Sequence, residues 1–269
     1  MKVSEVMNVD FKKFSMDKDR LVIDAINLMD KYKTSIVLCI DKKKELRGII
    51  TERDLLDRLG SKKFGNLKTS SIRISSVMLS NPIVISPENT VYEAAQLMHD
   101  KGYTGLPVVN KELVGCVTQN EMLTVCEKVT SIPINGLIDT NPIILSENDR
   151  IIHARRIFFE KNIRYLLTGS PDNITGIITE GILARAFANF RESAPASHLE
   201  ERLKHLILDD YKKSPVFVSK DITIGESAIK MLKEGVRLLV VLDDSDYLVG
   251  VISKDILIKF IKNKLTIKS

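Results

Sequence analysis

The sequence predicts an α+β fold of four β-α-β-β-α repeats, and three observations predict it. First, the phrase GIITERDLL at 48–56 recurs as GCVTQNEML from Gly115, GIITEGIL from Gly176 and GVISKDIL from Gly250. The recurring glycines stand 67, 61 and 74 residues apart. Second, a proline phrase precedes the last three copies: SNPIVIS at 80–86, TNPIILS at 140–146 and KSPVFVS at 213–219. Its prolines, Pro82, Pro142 and Pro215, are separated by 60 and 73 residues. Third, the stretches between the two phrases carry helix caps and apolar residues at helical spacing. Two independent marks with matching periods define an internal repeat of about 60 residues. KKFSM, 12–16, is the weaker counterpart in the first copy.

Each element follows in order. A short apolar strand, Ile83–Ile85 in the second copy, leads into the turn SPEN. A helix starts after Thr90, where Thr90 and Glu93 form a T-x-x-E capping box. Thr223 and Glu226 repeat it, and Asp19 is the expected cap in the first copy. The helices carry Val91, Ala94, Ala95 and Met98; Leu21, Ala25 and Leu28; and Ile224, Ala228 and Met231 on one face. Two apolar strands come next, as in LPVVN and LVGCVT, joined by polar turns such as Asp41–Glu45 and Asp243–Asp246. A second helix begins at the TERD-like joint.

One such unit has about three short strands and buries its apolar face poorly alone, so pairing is expected. The repeats are placed at 1–62, 72–128, 131–190 and 203–265. Grouping them two and two gives modules at 1–130 and 131–269. The wetter stretches 60–71 and 191–202 then read as crossovers, the latter partly helical beyond Ser197.

Composition narrows the function. Of 269 residues 44% are hydrophobic, enough for a true core. The longest apolar runs, such as Leu238–Leu242, are far too short to span a bilayer. The first residues, MKVSEVMNVDFKK, lack the apolar core of a signal peptide, so a soluble cytoplasmic protein with no membrane partner is expected. Cys39, Cys116 and Cys126 are too scattered for a zinc site and read as small buried hydrophobes. His99, His153, His198 and His205 lack metal-ligand spacing, so no metal is expected. The net charge of +5, from 40 basic and 35 acidic residues, suits an anionic ligand or weak nucleic-acid contact. Lys42–Lys44 is the densest basic run and sits in a hairpin turn. No Ser/His/Asp set, P-loop or G-x-G-x-x-G is present, and an enzyme is not expected.

The repeats resemble CBS domains, named after cystathionine β-synthase. The marks are S-x-P-x-x-h-S at the first strand, h-P-V-V at the second and G-h-h-T-x-x-D at the last joint, with h hydrophobic. The resemblance spans essentially the whole chain. It implies that tandem copies pair through their sheets into Bateman modules, with two clefts each for adenosine compounds. AMP, ADP and ATP are the implied ligands, with S-adenosylmethionine and NAD as alternatives and no obligatory cofactor. Such modules regulate an attached or partner protein, here one of unknown identity. The regulatory subunit of AMP-activated protein kinase also has four copies in one chain. Two modules can stack within one chain or across two, which leaves a homodimer open.

An adenosine ligand needs an apolar slot, acceptors for the ribose diol, and donors for phosphate. A helix N-terminus and a nearby carboxylate supply the last two. By the resemblance, Asp54 takes the ribose and Thr51 faces phosphate; the bland alternative is a plain helix cap. Copy two keeps Thr118 with Glu121, whose reach is longer. Copy three keeps Thr179 but has Gly181 and Ile182 where the acid belongs. Copy four has Ser253, with Asp255 in line if one residue is skipped. Before the second strand, Thr34, Thr104, Arg164 and Arg237 are read as equivalent. The arginines are candidate phosphate ligands or ordinary solvated strand charges. Tyr103, Gly105 and Pro107, with Pro82, Ile83 and Val84, are the candidate purine slot; the alternative for this apolar set, Val84 above all, is plain core packing. Two other readings stand beside nucleotide sensing: a nucleic-acid binder, weakened by the lack of an aromatic platform, and a scaffold whose ligand sites have degraded.

Overall fold

The computed structural model describes residues 1–61, 64, 67–193 and 202–264. Of the crossover expected at 191–202, residues 194–201 lie outside the described residues, and with them the first part of the helix expected beyond Ser197. In repeat 1, β1 (Ser15–Asp17) lies parallel to β2 (Ile36–Ile40), which pairs antiparallel with β3 (Leu46–Thr51). A short β4 (Leu79–Ser80) extends that sheet. Repeat 2 is built on the hairpin β5 (Gly105–Asn110) and β6 (Glu112–Thr118). Repeat 3 has β7 (Ile144–Leu145), β8 (Tyr165–Ser170) and β9 (Asn173–Thr179). Repeat 4 has β10 (Phe217–Ser219), β11 (Leu238–Leu242) and β12 (Leu248–Ser253). The first helices are Val22–Tyr32, Val91–Lys101, Ile151–Glu160 and Ile224–Glu234. The second helices are Glu52–Leu59, Gln119–Cys126, Glu180–Ser193 and Lys254–Lys264.

Local chemistry explains the helix starts. The Thr90 N–H donates to Glu93 Oε2 at 2.6 Å, and the Glu93 N–H donates to Thr90 Oγ1 at 3.2 Å. Thr223 and Glu226 form the same reciprocal pair. Asp19 does not cap the first helix. The Leu21 N–H donates instead to Asp24 Oδ2 at 3.3 Å, because Asp24 occupies the third helical position that Glu93 holds in repeat 2.

The expected strand Ile83–Ile85 is also absent. Ile85 makes one parallel bridge to Val108, while Ile83 and Val84 are 41% and 43% exposed, so Val84 is not core. The reason is topological: the segment serves two sheets. Leu79 and Ser80 pair with Ile49 and Gly48 of repeat 1 before the chain returns at Ile85 to its own hairpin. Equivalent crossings pair Asn8 with Cys116, Asp139 with Val251 and Lys213 with Ile177.

The recurring glycine stands at each crossing. A Cβ on Gly48 would lie 2.6 Å from the Leu79 carbonyl oxygen, one on Gly115 2.8 Å from that of Asn8, and one on Gly250 2.2 Å from that of Asp139. On Gly176 it would meet the Lys212 Cβ at 2.9 Å. No real Cβ tolerates such approaches, so the glycine that marks the repeat marks a backbone crossing.

The crossings join repeat 1 to repeat 2 and repeat 3 to repeat 4, and apolar sheet faces close each pair. Phe14, Ile36, Leu38 and Ile49 pack with Cys116 and Leu113. Leu167, Ile174 and Ile177 pack with Leu238, Val240 and Val251. The helical faces, by contrast, close between modules. Leu55, Leu56 and Leu59 of repeat 1 share a core with Leu183, Ala184 and Phe187 of repeat 3. Ala94, Met98 and Leu123 of repeat 2 share one with Ala228, Leu257 and Ile261 of repeat 4. Each fully buried Leu or Ile here contributes about 1.5–3 kcal/mol, so neither module is complete alone. All three cysteines are buried, and burial pushes the Cys39 and Cys126 thiols up to about 12, which leaves them inert. Among the described residues, no helix is long and apolar enough to cross a membrane.

Candidate functional site

The four strand-to-helix joints meet at the centre of the molecule. A repeated hydrogen bond sets their register: the N–H of the first residue of each second helix donates to the carbonyl just before the second strand. Glu52 donates to Ser35 at 3.1 Å, Gln119 to Thr104 at 3.0 Å, Glu180 to Arg164 at 3.2 Å and Lys254 to Arg237 at 3.0 Å. Ser35, not Thr34, is therefore the partner of Thr104, Arg164 and Arg237; the sequence reading was out by one residue. No residue is skipped in copy four either. Ser253 pairs with Leu238 as Thr51 pairs with Ile36, and Ser253 Oγ accepts from the Ile256 N–H at 3.4 Å. Asp255 thus occupies the second helical position, not the third held by Asp54.

At the intact joint, the Thr51 N–H and Oγ1–H donate to Asp54 Oδ2 at 2.8 and 2.6 Å, and the Asp54 N–H donates back to Thr51 Oγ1 at 3.2 Å. The cap is real, and it draws on one carboxylate oxygen. Burial, outweighing those hydrogen bonds, raises the Asp54 carboxyl above its ordinary range. Glu121 Oε2 likewise accepts from the Thr118 N–H and hydroxyl, while Thr118 Oγ1 accepts from the Asn120 N–H at 3.1 Å.

Two cavities open on the joints. The larger, ≈ 630 Å³, is lined by Thr51, Asp54, Tyr103, Thr104, Gly105, Arg164, Arg237, Ser253 and Asp255. Pro142 and Ile143 line it, in the place expected for Pro82 and Ile83 of repeat 2, which it excludes together with Pro107 and Glu121. Thr104 Oγ1 is buried there without a hydrogen-bond partner. The smaller cavity, ≈ 460 Å³, is lined by Thr34, Ser35, Thr118, Thr179, Lys254 and Arg237, with Ile182 at the joint that lacks its acid. His99 borders the larger cavity, and the described residues contain no group of His, Cys, Asp and Glu able to hold a metal ion.

Between the cavities lies a charge network that sequence reasoning missed. Arg164 and Arg237 are neither solvated strand charges nor bare phosphate ligands. Arg237 donates to Asp255 Oδ2 at 3.2 Å and to Gln119 Oε1 at 3.3 Å, and Gln119 Nε2 donates to Asp255 Oδ1 at 2.8 Å. Arg164 lies 3.5 Å from Asp255 and 3.8 Å from Glu180, and Arg53 pairs directly with Glu180. Burial alone would raise the Asp255 carboxyl, but Arg237 and Arg164 hold it below the usual range. For Glu180, 1% exposed, burial outweighs Arg164, Arg237 and Arg53 and raises the carboxyl. Arg185 pairs with Glu52 at 2.9 Å and with Asp30.

Most of these residues are the first two of each second helix: Glu52 and Arg53, Gln119 and Asn120, Glu180 and Gly181, Lys254 and Asp255. Aligning those positions across copies is the sequence signal that would have found them. As a result the larger cavity carries six carboxylates (Glu52, Asp54, Asp100, Asp139, Glu180, Asp255) against five cations (Arg53, Lys101, Arg164, Arg237, Lys259).

A four-unit fold paired through its sheets, with clefts at T-x-x-D joints, defines a class, and comparison with known proteins names it. The chain belongs to the CBS domain family: residues 3–61, 74–128, 134–189 and 208–263 match that family, one domain each. It is similar in sequence to an uncharacterized 33.4 kDa protein in the ribosomal RNA operon of Thermofilum pendens, 24% identical over 83% of this chain and 79% of that one. It is also similar to the uncharacterized protein MJ1404 of Methanocaldococcus jannaschii, 25% identical over 69% of this chain but only 43% of the longer relative. Its fold is similar to the crystal structure of protein MJ1225 of the same organism, proposed as an archaeal homolog of g-AMPK. The TM-score is 0.78 at 17% identity, covering 97% of this chain and 99% of that one. An uncharacterized conserved protein from Pyrococcus horikoshii matches with a TM-score of 0.61 at 18% identity, over 97% and 100% of the two chains.

Proposed function

We propose that the chain is a regulatory, non-catalytic sensor that binds an adenosine compound in the larger cavity and signals to a protein partner. Residues 1–130 and 131–269 act as its two modules. The observation that carries this reading is the intact joint of repeat 1. Asp54 spends Oδ2 on the helix cap, so Oδ1 is left to accept from a ribose hydroxyl. Thr104 Oγ1, buried without a partner in the same cavity, is a second polar atom that a ligand would satisfy. Tyr103, Pro142 and Ile143 supply apolar surface for the purine.

The built-in carboxylates select among ligands. Arg53, Arg164 and Arg237 already face Glu180 and Asp255, which cancel most of their charge. A ligand of low negative charge, such as AMP or S-adenosylmethionine, suits this cavity better than a triphosphate. A phosphate that draws on Arg164 or Arg237 competes with Asp255 and so loosens contacts between repeats 2, 3 and 4; that is the proposed route from ligand to partner. Calorimetric titration of the full chain with AMP, ADP, ATP, S-adenosylmethionine and NAD tests the reading. Binding weakened by Asp54→Ala supports it, and no binding of any of the five at millimolar concentration rejects it.

A further inference from the structure

The smaller cavity has the opposite electrostatics. Five cations line it, Lys33, Arg185, Lys213, Arg237 and Lys254, against the carboxylates of Asp30 and Glu52. Among the described residues, none of the three lysines has a carboxylate within 4.0 Å. Lys254, the first residue of its helix, is only 9% exposed. Glu52, Glu121 and Asp255 act on it from beyond that distance. Its Nζ donates to Asn120 Oδ1 at 2.6 Å, and Asn120 Nδ2 donates to the Lys33 carbonyl at 3.1 Å, which holds the amide oxygen toward the lysine. An ammonium brings three donors and a charge to this place and meets one neutral acceptor, an arrangement that burial makes costly. Burial, reinforced by Arg237, accordingly lowers the Lys254 pKa to about 8, so part of the amine is unprotonated and nucleophilic near neutral pH.

A lysine carbamate fits the same surroundings. It keeps one N–H, which matches the one acceptor, Asn120 Oδ1. Its new carboxylate changes the charged lining from five cations and two anions to four and three. Lys33 and Lys213 at the exposed rim, and the helix N-termini after Thr118 and Thr179, supply positive charge to the space it would occupy. The third joint, with Gly181 and Ile182 in place of the acid, puts no competing carboxylate there. We propose that Lys254 is a carbamylation site, at which carbon dioxide entering the smaller cavity is fixed reversibly on Nζ. The unprotonated Nζ attacks the carbon of carbon dioxide. The N–C bond forms as one C–O π bond yields its electron pair to oxygen, and Nζ releases one proton to water. No further reactant is consumed, and the adduct is lost again when carbon dioxide falls. Lys254 immediately precedes Asp255, so the change of charge is delivered beside the network that borders the larger cavity. Neither the cavity nor the reaction requires a nucleotide.

The full chain, equilibrated with carbon-13-labelled carbon dioxide near pH 8, trapped with triethyloxonium and read by peptide mass spectrometry, tests the assignment. A trapped carboxyl group on Lys254 is expected, at roughly tenfold or more the yield on exposed lysines, because the amine is unprotonated far more often than an ordinary lysine. At fixed carbon dioxide pressure the yield should rise from pH 7 to pH 9. Carbon dioxide should also raise the thermal midpoint of the wild-type chain at constant pH and leave that of Lys254→Arg, which keeps the cation, unchanged. If Lys254→Arg does not fold, Asn120→Ala replaces it, with a several-fold lower yield on Lys254 expected from the lost acceptor. The assignment is overturned by a yield on Lys254 no greater than on exposed lysines, by an equal thermal shift in Lys254→Arg, or, where Asn120→Ala is the variant, by an unchanged yield.

Discussion

The two cavities share a wall and a construction, yet their chemistry diverges. Both are lined by joint residues and by Ser35, Glu52, Gln119 and Arg237. In the larger, every arginine faces a carboxylate: Arg53 and Arg164 one from another repeat, Arg237 one from its own. In the smaller, three lysines face none. The difference arises at the first three positions of the second helices, where the copies have drifted apart while the strands and crossing glycines kept the frame. A repeat fold can therefore diversify its sites by exchanging charges at helix starts, because those positions converge on the centre.

The largest expected effect breaks the partition itself. Arg53→Ala leaves Glu180 buried with Arg164 as its remaining partner, and a destabilisation of about 3 kcal/mol is expected from denaturant midpoints. Replacing both residues with Met should restore most of it; a double variant as unstable as the single one would rule out the ion pair as the cause. Lys254→Met acts in the opposite direction. Burial, reinforced by Arg237, lowers the Lys254 pKa from 10.5 to about 8. The unfolded chain therefore binds more protons than the folded one between those values, and wild-type stability rises with pH across that window. The variant should lack that rise and be more stable near neutral pH by up to about 3 kcal/mol, as thermal melts at pH 7 and pH 10 would show.

Glu180→Gln sharpens the contrast through ligand choice. It removes one carboxylate from the larger cavity, so the affinity for ADP relative to AMP should rise by roughly tenfold, and an unchanged ratio would show that Glu180 does not set it. The smallest effects separate cap from ligand contact. Asp54→Ala and Glu121→Ala should each cost about 1 kcal/mol of stability as lost caps, while only Asp54→Ala weakens nucleotide binding. Equal binding in both variants would return Asp54 to a purely structural role.

What the sequence disclosed was local. Thr90 with Glu93, Thr51 with Asp54 and the two proline and glycine phrases are short-range patterns, and they marked the repeat and its one intact T-x-x-D joint. The register of the residues before the second strand depends on pairing, so Thr34 stood in for Ser35. The strand at Ile83–Ile85 failed because a segment that crosses to another sheet is not visible as such in its own residues. Arg164 and Arg237 could be placed at a cleft but not paired, because Glu180 and Asp255 meet them only after all four joints converge. The absence of an acid from the third joint reads as decay in the sequence; in the structure that joint opens on a cavity that Lys254 also lines.

The crossing segments also govern how the chain is made. The sheet of repeat 1 keeps an open edge until residues 79–80 have been synthesised, and Leu55, Leu56 and Leu59 wait for Leu183 and Phe187. The nascent chain thus carries an uncovered apolar helix face while more than 120 further residues are made, and a product stalled in that interval is an aggregation-prone fragment.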